Sequence, residues 1–364
     1  MYNGKLLDGI KVVELATFVA APSACRVMTD MGAEVIKVEP FGGDPLRYTA
    51  KNEGRPDGYQ ENTSFDLENA NKSSITLNLK SPAGMDVLMK LIGEADIFVT
   101  NWRGKALERL GLDYDSLKQK YPALVYGMVT GYGEKGPDAD LPGFDFTAYF
   151  ARGGLLGTMY EKDTVPMNIV PGLGDHQVGM YLTAGLCAAL FRAKINGQGE
   201  KVSVSLFHSA IYGLGLMVQA AQYGQPAATY PLHRRDLANP FQVAHKTRDN
   251  HFIQIAIPTY DMLYNKFITI IGREDLVDHP VYSSQGTLGE KACEVHDILV
   301  EQMKQKTVAE WVEIFTREDI PFAVAQTWDE ILEDKQAWES DCLYAMDYPT
   351  GNKRTLVRSP IMYQ

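Results

Sequence analysis

The sequence predicts an α/β protein, with a large domain built on a parallel sheet and a smaller α+β domain. Short β-rich runs alternate with helical periodicity through the first half of the chain. A turn-rich passage interrupts this pattern near residue 224, and a mixture of strands and helices follows it. The length of 364 residues also exceeds what one hydrophobic core usually supports, which favours two domains.

The large domain is predicted from a strand, helix, strand order that repeats along its sequence. The predicted strands are 10–15, 32–39, 96–100, 124–129 and 202–206, and the predicted helices are 23–31, 82–95, 106–111 and 176–193. Strands that are joined through helices pair in parallel, with the helices covering both faces of the sheet.

The domain bounds follow from the loss of periodicity after the last of these helices. We predict a large domain over 1–223, a linker over 224–240, a small α+β domain over 241–340 and a return segment over 341–364. The small domain is expected to hold a strand at 252–257 and helices at 260–271, 291–305 and 308–316. The last residues lack a capping pattern, so we expect the return segment to be shortened.

Composition excludes several classes of function. The net charge of −11 is spread along the chain without a basic stripe, which argues against nucleic acid as a partner. The four cysteines lie far apart, and no histidine pair has metal-ligand spacing, so no metal site is expected. No run approaches the ~18 apolar residues of a membrane span, and no signal core is seen. These features predict a cytoplasmic protein without a membrane partner.

Asp175 is the residue on which the prediction of an activity depends. It follows Gly172-Leu173-Gly174, where flexible backbone leads into a predicted helix. An aspartate at that place commonly caps a helix, with its oxygen accepting an amide hydrogen bond. It can also serve as an ionised carboxylate beside free amides, where glycines let a substrate approach the backbone. The local sequence leaves both interpretations open.

Two groups of residues are candidates for ligand binding. Phe18, Val19 and Ala20 lie between a strand end and a helix start, where open α/β sheets bind ligands. The chain has no glycine-rich phosphate motif, so an anionic ligand would depend on basic residues. The second group comprises Lys72, Asn101, Trp102, Arg103, Lys105 and Arg109. Ordinary helix packing and a solvated helix start are the alternative interpretations of these segments.

Several motifs together resemble the class III CoA-transferases, along essentially the whole chain. They are Leu7-Asp8-Gly9-Ile10-Lys11-Val12-Val13-Glu14-Leu15, Gly32-Ala33-Glu34-Val35-Ile36-Lys37-Val38-Glu39-Pro40, Asn101-Trp102-Arg103 and Gly174-Asp175-His176. Further segments resemble the branch of this family that acts on 2-hydroxy acids. They are Gly131-Tyr132-Gly133-Glu134-Lys135-Gly136-Pro137, Ala151-Arg152-Gly153-Gly154 and Asp334-Lys335-Gln336-Ala337-Trp338.

The resemblance implies a Rossmann-like large domain, a smaller second domain and two chains interlocked as a homodimer. It implies that Asp175 is the catalytic aspartate. The residues that would line or flank the CoA site are Phe18, Val19, Ala20, Lys72, Asn101, Trp102, Arg103, Ala106 and Arg109. Those expected near the substrate or its oxyanion are Gly172, Gly174, Phe144 and Asp145.

The activity implied by the resemblance is reversible CoA transfer. The donor would be cinnamoyl-CoA or a related enoyl- or arylpropionyl-CoA, and the acceptor an (R)-2-hydroxy acid such as phenyllactate. The aspartate would carry the reaction through an anhydride and an aspartyl-CoA thioester. CoA is then a cosubstrate, no cofactor is tightly bound, and a 2-hydroxyacyl-CoA dehydratase of amino-acid fermentation is an expected partner.

Two other functions share this fold. The α-methylacyl-CoA racemases pair the matching aspartate with a histidine in the segment before it, as a proton-transfer pair. Phe144 stands at the position of that histidine, and a phenyl ring accepts no proton, so the sequence disfavours racemisation. A non-catalytic CoA-binding subunit would need no nucleophile, and the presence of Asp175 argues against it.

Overall fold

The computed structural model describes residues 5–224 and 230–363, which form two compact units. Of these residues, the first unit comprises 5–157, 167–224 and 335–363, and the second comprises 158–166 and 230–334. Part of the predicted linker, 225–229, lies outside the described residues.

The observed units correct the predicted domain bounds in two places. Residues 158–166 belong to the second unit, although the prediction placed them within 1–223. They join it through backbone pairing, because the Lys162 amide donates to the Leu232 carbonyl oxygen at 3.1 Å. The return to the first unit begins at Lys335 instead of 341. Neither segment has a hydrophobic periodicity from which its unit could be assigned in the sequence.

The elements of the described residues are as follows. The strands are β1 (Lys11–Leu15), β2 (Glu34–Glu39), β3 (Ser73–Thr76), β4 (Ile97–Thr100), β5 (Val125–Thr130), β6 (Lys201–Ser205), β7 (Ala244–Lys246), β8 (Phe252–Ile255), β9 (Phe322–Val324), β10 (Leu343–Asp347) and β11 (Lys353–Val357). The α-helices are α1 (Ala20–Asp30), α2 (Thr63–Asn69), α3 (Pro82–Gly93), α4 (Gly104–Leu110), α5 (Tyr114–Lys120), α6 (Leu155–Thr158), α7 (Leu173–Asn196), α8 (Leu206–Gly213), α9 (Gly215–Ala220), α10 (Tyr260–Ile270), α11 (Gln285–Leu288), α12 (Ala292–Met303), α13 (Val308–Arg317), α14 (Trp328–Glu333) and α15 (Lys335–Glu339). A π-helix spans Asp145–Ala151, and 3₁₀ helices span Pro45–Glu53, Ala221–Tyr223, Arg234–Asp236, Glu274–Leu276 and Gly289–Lys291.

The first unit is built on a parallel sheet in the order β3-β2-β1-β4-β5-β6, which confirms the predicted α/β class. This is the strand order of a Rossmann-like fold, and the order reverses between β1 and β4. A crevice forms at the carboxyl ends of the strands beside such a reversal. The strand that the sequence missed, β3, is a largely exposed run of Ser73-Ser74-Ile75-Thr76, with little apolar signal.

Helices cover both faces of this sheet, and alternate residues of each strand contribute to an apolar core on each face. In β4, Ile97 and Val99 pack with α1 and α7 on one face, while Phe98 packs toward α3, α4 and α5 on the other. Successive strand residues point to opposite faces, so a strand buried on both sides is apolar throughout. The sequence therefore identified the central strands reliably.

The longest helix described, α7, places Asp175 beside the carboxyl ends of the strands. It packs along α1 and against β5 and β6, and its buried residues include Val178, Leu182 and Leu186. Among the described residues it is the one helix that is long and apolar enough to cross a membrane, judged by length and composition alone. Its packing accounts for that composition, because a helix that serves as the spine of a core is also apolar.

The second unit is a small α+β body. The antiparallel sheet β7-β8-β9 packs with α10, α12 and α13 around an aromatic core. The fully buried aromatic residues of this core include Phe241, Tyr264, Phe267, Trp311 and Phe315. The return segment instead adds the hairpin β10-β11 to the first unit.

Candidate active site

A cavity of about 470 Å³ opens at the carboxyl ends of the strands that flank the reversal of strand order. It brings together residues that are distant in the sequence, from the ends of β1, β4 and β5 and from the start of α7. The predicted site residues that line it are Phe18, Val19, Ala20, Asn101, Trp102, Arg103, Lys105, Phe144 and Asp175. The structure thus assembles most of the predicted site in one place.

A second cavity, of about 350 Å³, receives the remaining predicted residues near β4. Ala106 and Arg109 line it, over an apolar wall that includes Leu15 and Leu77. Trp102 lines both cavities, which are therefore adjacent. A flat base could stack in the second cavity, beside an indole and a guanidinium group.

Asn101 joins the two strand ends at the reversal. Its amide nitrogen donates to the Thr17 carbonyl oxygen at 2.7 Å, and its amide oxygen accepts from the Thr17 backbone nitrogen at 3.1 Å. Asn101 also lines the first cavity, so the prediction that it contacts or flanks CoA stays a prediction. Asn101 positions the loop that carries Phe18.

Lys72 does not reach either of these cavities. Its side chain is 1% exposed, and its Nζ donates to Glu14 Oε2 at 2.6 Å, to the Pro22 carbonyl oxygen and to Asn69 Oδ1. All three donors of the ammonium group are thus used inside the fold. The prediction that Lys72 contacts CoA is corrected: it neutralises the buried Glu14.

Asp175 lies in the first turn of α7 and not at its N-cap. Gly172 occupies the N-cap in the left-handed region, at φ 88°, and no side chain caps the helix. The interpretation of Asp175 as a capping residue is therefore wrong. Glycine is required at 174, because a Cβ there would lie 2.3 Å from the Tyr149 ring and 2.4 Å from Asp145 Oδ1.

Asp145 lies behind this turn, as a second and more deeply buried carboxyl group. Its Oδ2 accepts from the Gly172 amide at 2.7 Å, while its Oδ1 is buried and has no hydrogen-bond partner among the described residues. The Gly172 amide is consequently unavailable to a substrate oxyanion, which corrects its predicted role. Neither Gly172, Gly174 nor Asp145 lines the cavity; they fix the backbone beneath Asp175.

The surroundings of Asp175 raise the pKa of its carboxyl group. Burial raises the pKa of this carboxyl from its ordinary value of 3.8 to about 7, and the nearby charge of Asp145 adds to the rise. Both the protonated and the ionised form of Asp175 are therefore populated near neutral pH, whereas a helix start alone would keep it ionised. Desolvation and a like charge outweigh the helix amides here.

His176 is held by a partner that sequence reasoning missed. Its Nε2 lies 2.8 Å from Oε1 of the buried Glu68. Burial alone would lower the pKa of His176, but the hydrogen bond and the charge of Glu68 raise it overall. No local motif connects these two residues, because they are 108 positions apart in the chain.

The end of β5 supplies a wall of the cavity that was also missed. Thr130, Gly131 and Gly143 line it. The backbones of the two glycines touch, since a Cβ on Gly131 would lie 2.6 Å from the Gly143 Cα. The rule that ligands bind at the carboxyl ends of parallel strands could have identified Thr130 and Gly131.

Replacing Asp175 with Asn should change how stability depends on pH. Because the folded pKa of about 7 exceeds the ordinary 3.8, the folded protein keeps a proton that the unfolded chain releases. The stabilising contribution of the neutral carboxyl is complete below about pH 4 and is lost as the pH rises through about 7. In thermal unfolding, the Tm of Asp175→Asn should therefore rise relative to that of the wild type over this range and then level off. A constant difference would contradict the raised pKa.

Comparisons with known proteins identify the family of this chain. The sequence model of CoA-transferase family III matches residues 7–364. The chain is 57% identical over 363 residues to a cinnamoyl-CoA:phenyllactate CoA-transferase of Clostridium sporogenes, covering 100% of this chain and 88% of that protein. It is 44% identical over 359 residues to an (R)-2-hydroxy-4-methylpentanoate CoA-transferase of Clostridioides difficile, covering 99% and 89%.

Solved structures show the same fold. The crystal structure of a Mycobacterium tuberculosis protein superposes with a TM-score of 0.84 at 26% identity, covering 99% of this chain and 93% of that one. A CaiB/BaiF family protein from Brucella suis gives a TM-score of 0.82 at 26% identity, with the same coverage. The family model covers almost the whole sequence and two relatives are 57% and 44% identical to it, so the chain belongs to CoA-transferase family III.

Proposed function

We propose that this enzyme transfers CoA from an acyl-CoA to an (R)-2-hydroxy acid through covalent intermediates on Asp175. The observation that carries the proposal is the Asp175 carboxyl, which lines a cavity large enough for an acyl group and is only partly accessible to solvent. Two relatives with 57% and 44% identity act on 2-hydroxy acids by name, which supports this acceptor class.

The first half of the reaction follows from the chemistry of a carboxylate and a thioester. An Asp175 oxygen attacks the thioester carbonyl carbon, the C–S bond breaks, and an acyl-aspartyl anhydride and a CoA thiolate form. The thiolate then attacks the Asp175 carbonyl carbon. The C–O bond of the anhydride breaks, the donor acid leaves as a carboxylate, and an aspartyl-CoA thioester remains.

The second half reverses these steps with the acceptor. Its carboxylate attacks the aspartyl thioester and releases the CoA thiolate, which attacks the acceptor carbonyl and restores Asp175. No proton or external energy source is consumed, because one thioester replaces another. Partial burial suits this chemistry, since a poorly hydrated carboxylate is a better nucleophile and water would hydrolyse the anhydride.

The finer parts of the proposal concern substrates and surroundings. We propose cinnamoyl-CoA or a related enoyl- or arylpropionyl-CoA as donor and phenyllactate as acceptor, with CoA as a cosubstrate and no tightly bound cofactor. We also propose a cytoplasmic homodimer that supplies a 2-hydroxyacyl-CoA dehydratase. Exposed apolar residues on α7, α8 and α9, such as Phe191, Tyr212 and Leu216, are consistent with an interface between two chains.

A chromatographic assay tests the transfer itself. Cinnamoyl-CoA with (R)-phenyllactate should give phenyllactyl-CoA and free cinnamate, and addition of hydroxylamine should trap an Asp175 hydroxamate that mass spectrometry detects. Acyl-CoA whose α-proton exchanges with solvent, without any change of acid partner, would instead indicate racemase chemistry. Tight acyl-CoA binding with neither reaction would indicate a regulatory subunit.

A further inference from the structure

We infer that Phe18 and Phe144 form an aromatic pair that selects planar acyl groups, aromatic or α,β-unsaturated, over branched aliphatic ones. This inference rests on the proposed function and names the specificity determinant of the same site. Both rings line the cavity that contains Asp175. Their centroids are 6.3 Å apart and their planes are perpendicular, at 89°.

The two rings are available to a ligand. Phe18 is 38% exposed and Phe144 is 56% exposed, although both lie in the wall of a cavity. Apolar side chains of this size are normally buried, and exposed ones that converge on a cavity mark a binding surface. The pair therefore keeps apolar area that an acyl group can cover.

The perpendicular arrangement favours a flat ligand. A planar group that stacks on one ring is necessarily edge-on to the other, because the two planes are at 89°. Offset stacking and edge-to-face contact are the two preferred aromatic geometries, so a phenyl or enoyl group satisfies both at once. A branched aliphatic group fills the same space but gains neither quadrupole contact.

Phe18 is held in place by its backbone. Its φ of 61° lies in the left-handed region, which is unfavourable for a bulky residue and persists only where the surroundings enforce it. Oδ1 of Asp44 enforces it by accepting from the Phe18 amide at 3.1 Å. Asp44 is fully buried, and its other oxygen lies 2.9 Å from Nζ of the buried Lys37.

The neighbouring residue is fixed as well. The Thr17 backbone is bound on both its donor and its acceptor by the Asn101 amide. The position of the Phe18 backbone is thus set by Asp44, which follows β2, and by Asn101, which follows β4, before any substrate arrives. A preorganised ring loses little entropy on binding, which strengthens its discrimination between acyl groups.

The experiment compares acceptors with one donor, so that the first half-reaction is common to both. With cinnamoyl-CoA as donor, kcat/KM is measured for (R)-phenyllactate and for (R)-2-hydroxyisocaproate. The variants are Phe18→Gly and Phe144→Leu. Glycine adopts a φ of 61° readily, so the first variant removes the ring without straining the backbone. Phe146→Leu is the matched control, because Phe146 is exposed in the same segment but does not line the cavity.

The aryl-to-aliphatic ratio of kcat/KM should fall about three- to tenfold in Phe18→Gly and in Phe144→Leu, the range expected for loss of one aromatic contact. It should stay within about twofold of wild type in Phe146→Leu. Unchanged ratios in both cavity variants, or an equal fall in the control, would refute the role of this pair. Absence of transfer by the wild type to either acid would refute the proposed function itself, and with it the inference.

Discussion

Asp175→Asn is expected to lower the rate of CoA transfer by about 10³-fold or more, while acyl-CoA binding changes little. The amide has the shape of the carboxyl group but cannot attack a thioester, so neither the anhydride nor the aspartyl thioester can form. Transfer is measured by chromatography of the CoA esters, and binding by calorimetry with free CoA and with the acyl-CoA. The loss should appear in kcat and not in affinity, because the change removes the nucleophile and leaves the cavity wall in place.

Asp115→Asn is the matched control for this substitution. Asp115 is an exposed aspartate in the first turn of another helix, α5, and does not line either cavity described above. Its amide variant should transfer CoA at the wild-type rate. Transfer by Asp175→Asn at more than a few per cent of that rate would rule out the covalent scheme, provided that deamidation back to Asp is excluded by mass spectrometry.

Lys72→Met is expected to reduce the free energy of unfolding by about 3 kcal/mol, the typical effect of removing one partner of a buried ion pair. Glu14, which is fully buried, then keeps Lys37 at 2.6 Å but loses its second cation. Burial raises the pKa of Glu14, but its two lysine partners lower it overall, so the carboxylate is ionised and depends on both. Chemical denaturation measures the change as a lower midpoint with a similar slope.

Lys335→Met provides the comparison on the surface. Lys335 pairs with Glu339 at 3.5 Å with both side chains largely exposed, and such pairs contribute at most a few tenths of a kcal/mol. A much larger loss of stability in Lys72→Met than in Lys335→Met would support the role of Lys72 in neutralising Glu14 over the CoA contact that the resemblance implied. If Lys72 instead contacted CoA, Lys72→Met would weaken acyl-CoA binding and leave the free energy of unfolding unchanged. That result would overturn the structural role of Lys72.

The sequence alone predicted five of the six strands of the parallel sheet. The buried strands β4 and β5 are mainly apolar, and β1 and β2 keep enough Val, Ile and Leu around the buried charges Glu14 and Lys37 to be visible in the sequence. Residues at the carboxyl ends of such strands converge, which made the Phe18 and Trp102 segments candidates for ligand binding, and the structure places both at one cavity. The local residues around Asp175 allowed either a helix cap or a functional carboxylate, and the proposed catalytic role came from the family resemblance.

The contacts and the protonation of the site residues were decided only by the tertiary structure. Lys72 pairs with Glu14, 58 positions away in the sequence, and His176 pairs with Glu68, 108 positions away. No local pattern predicts either pair. The raised pKa of Asp175 and the perpendicular rings of Phe18 and Phe144 likewise depend on what the folded chain packs around them. Local sequence determines periodicity and strand ends, whereas burial and electrostatic partners are properties of the assembled core.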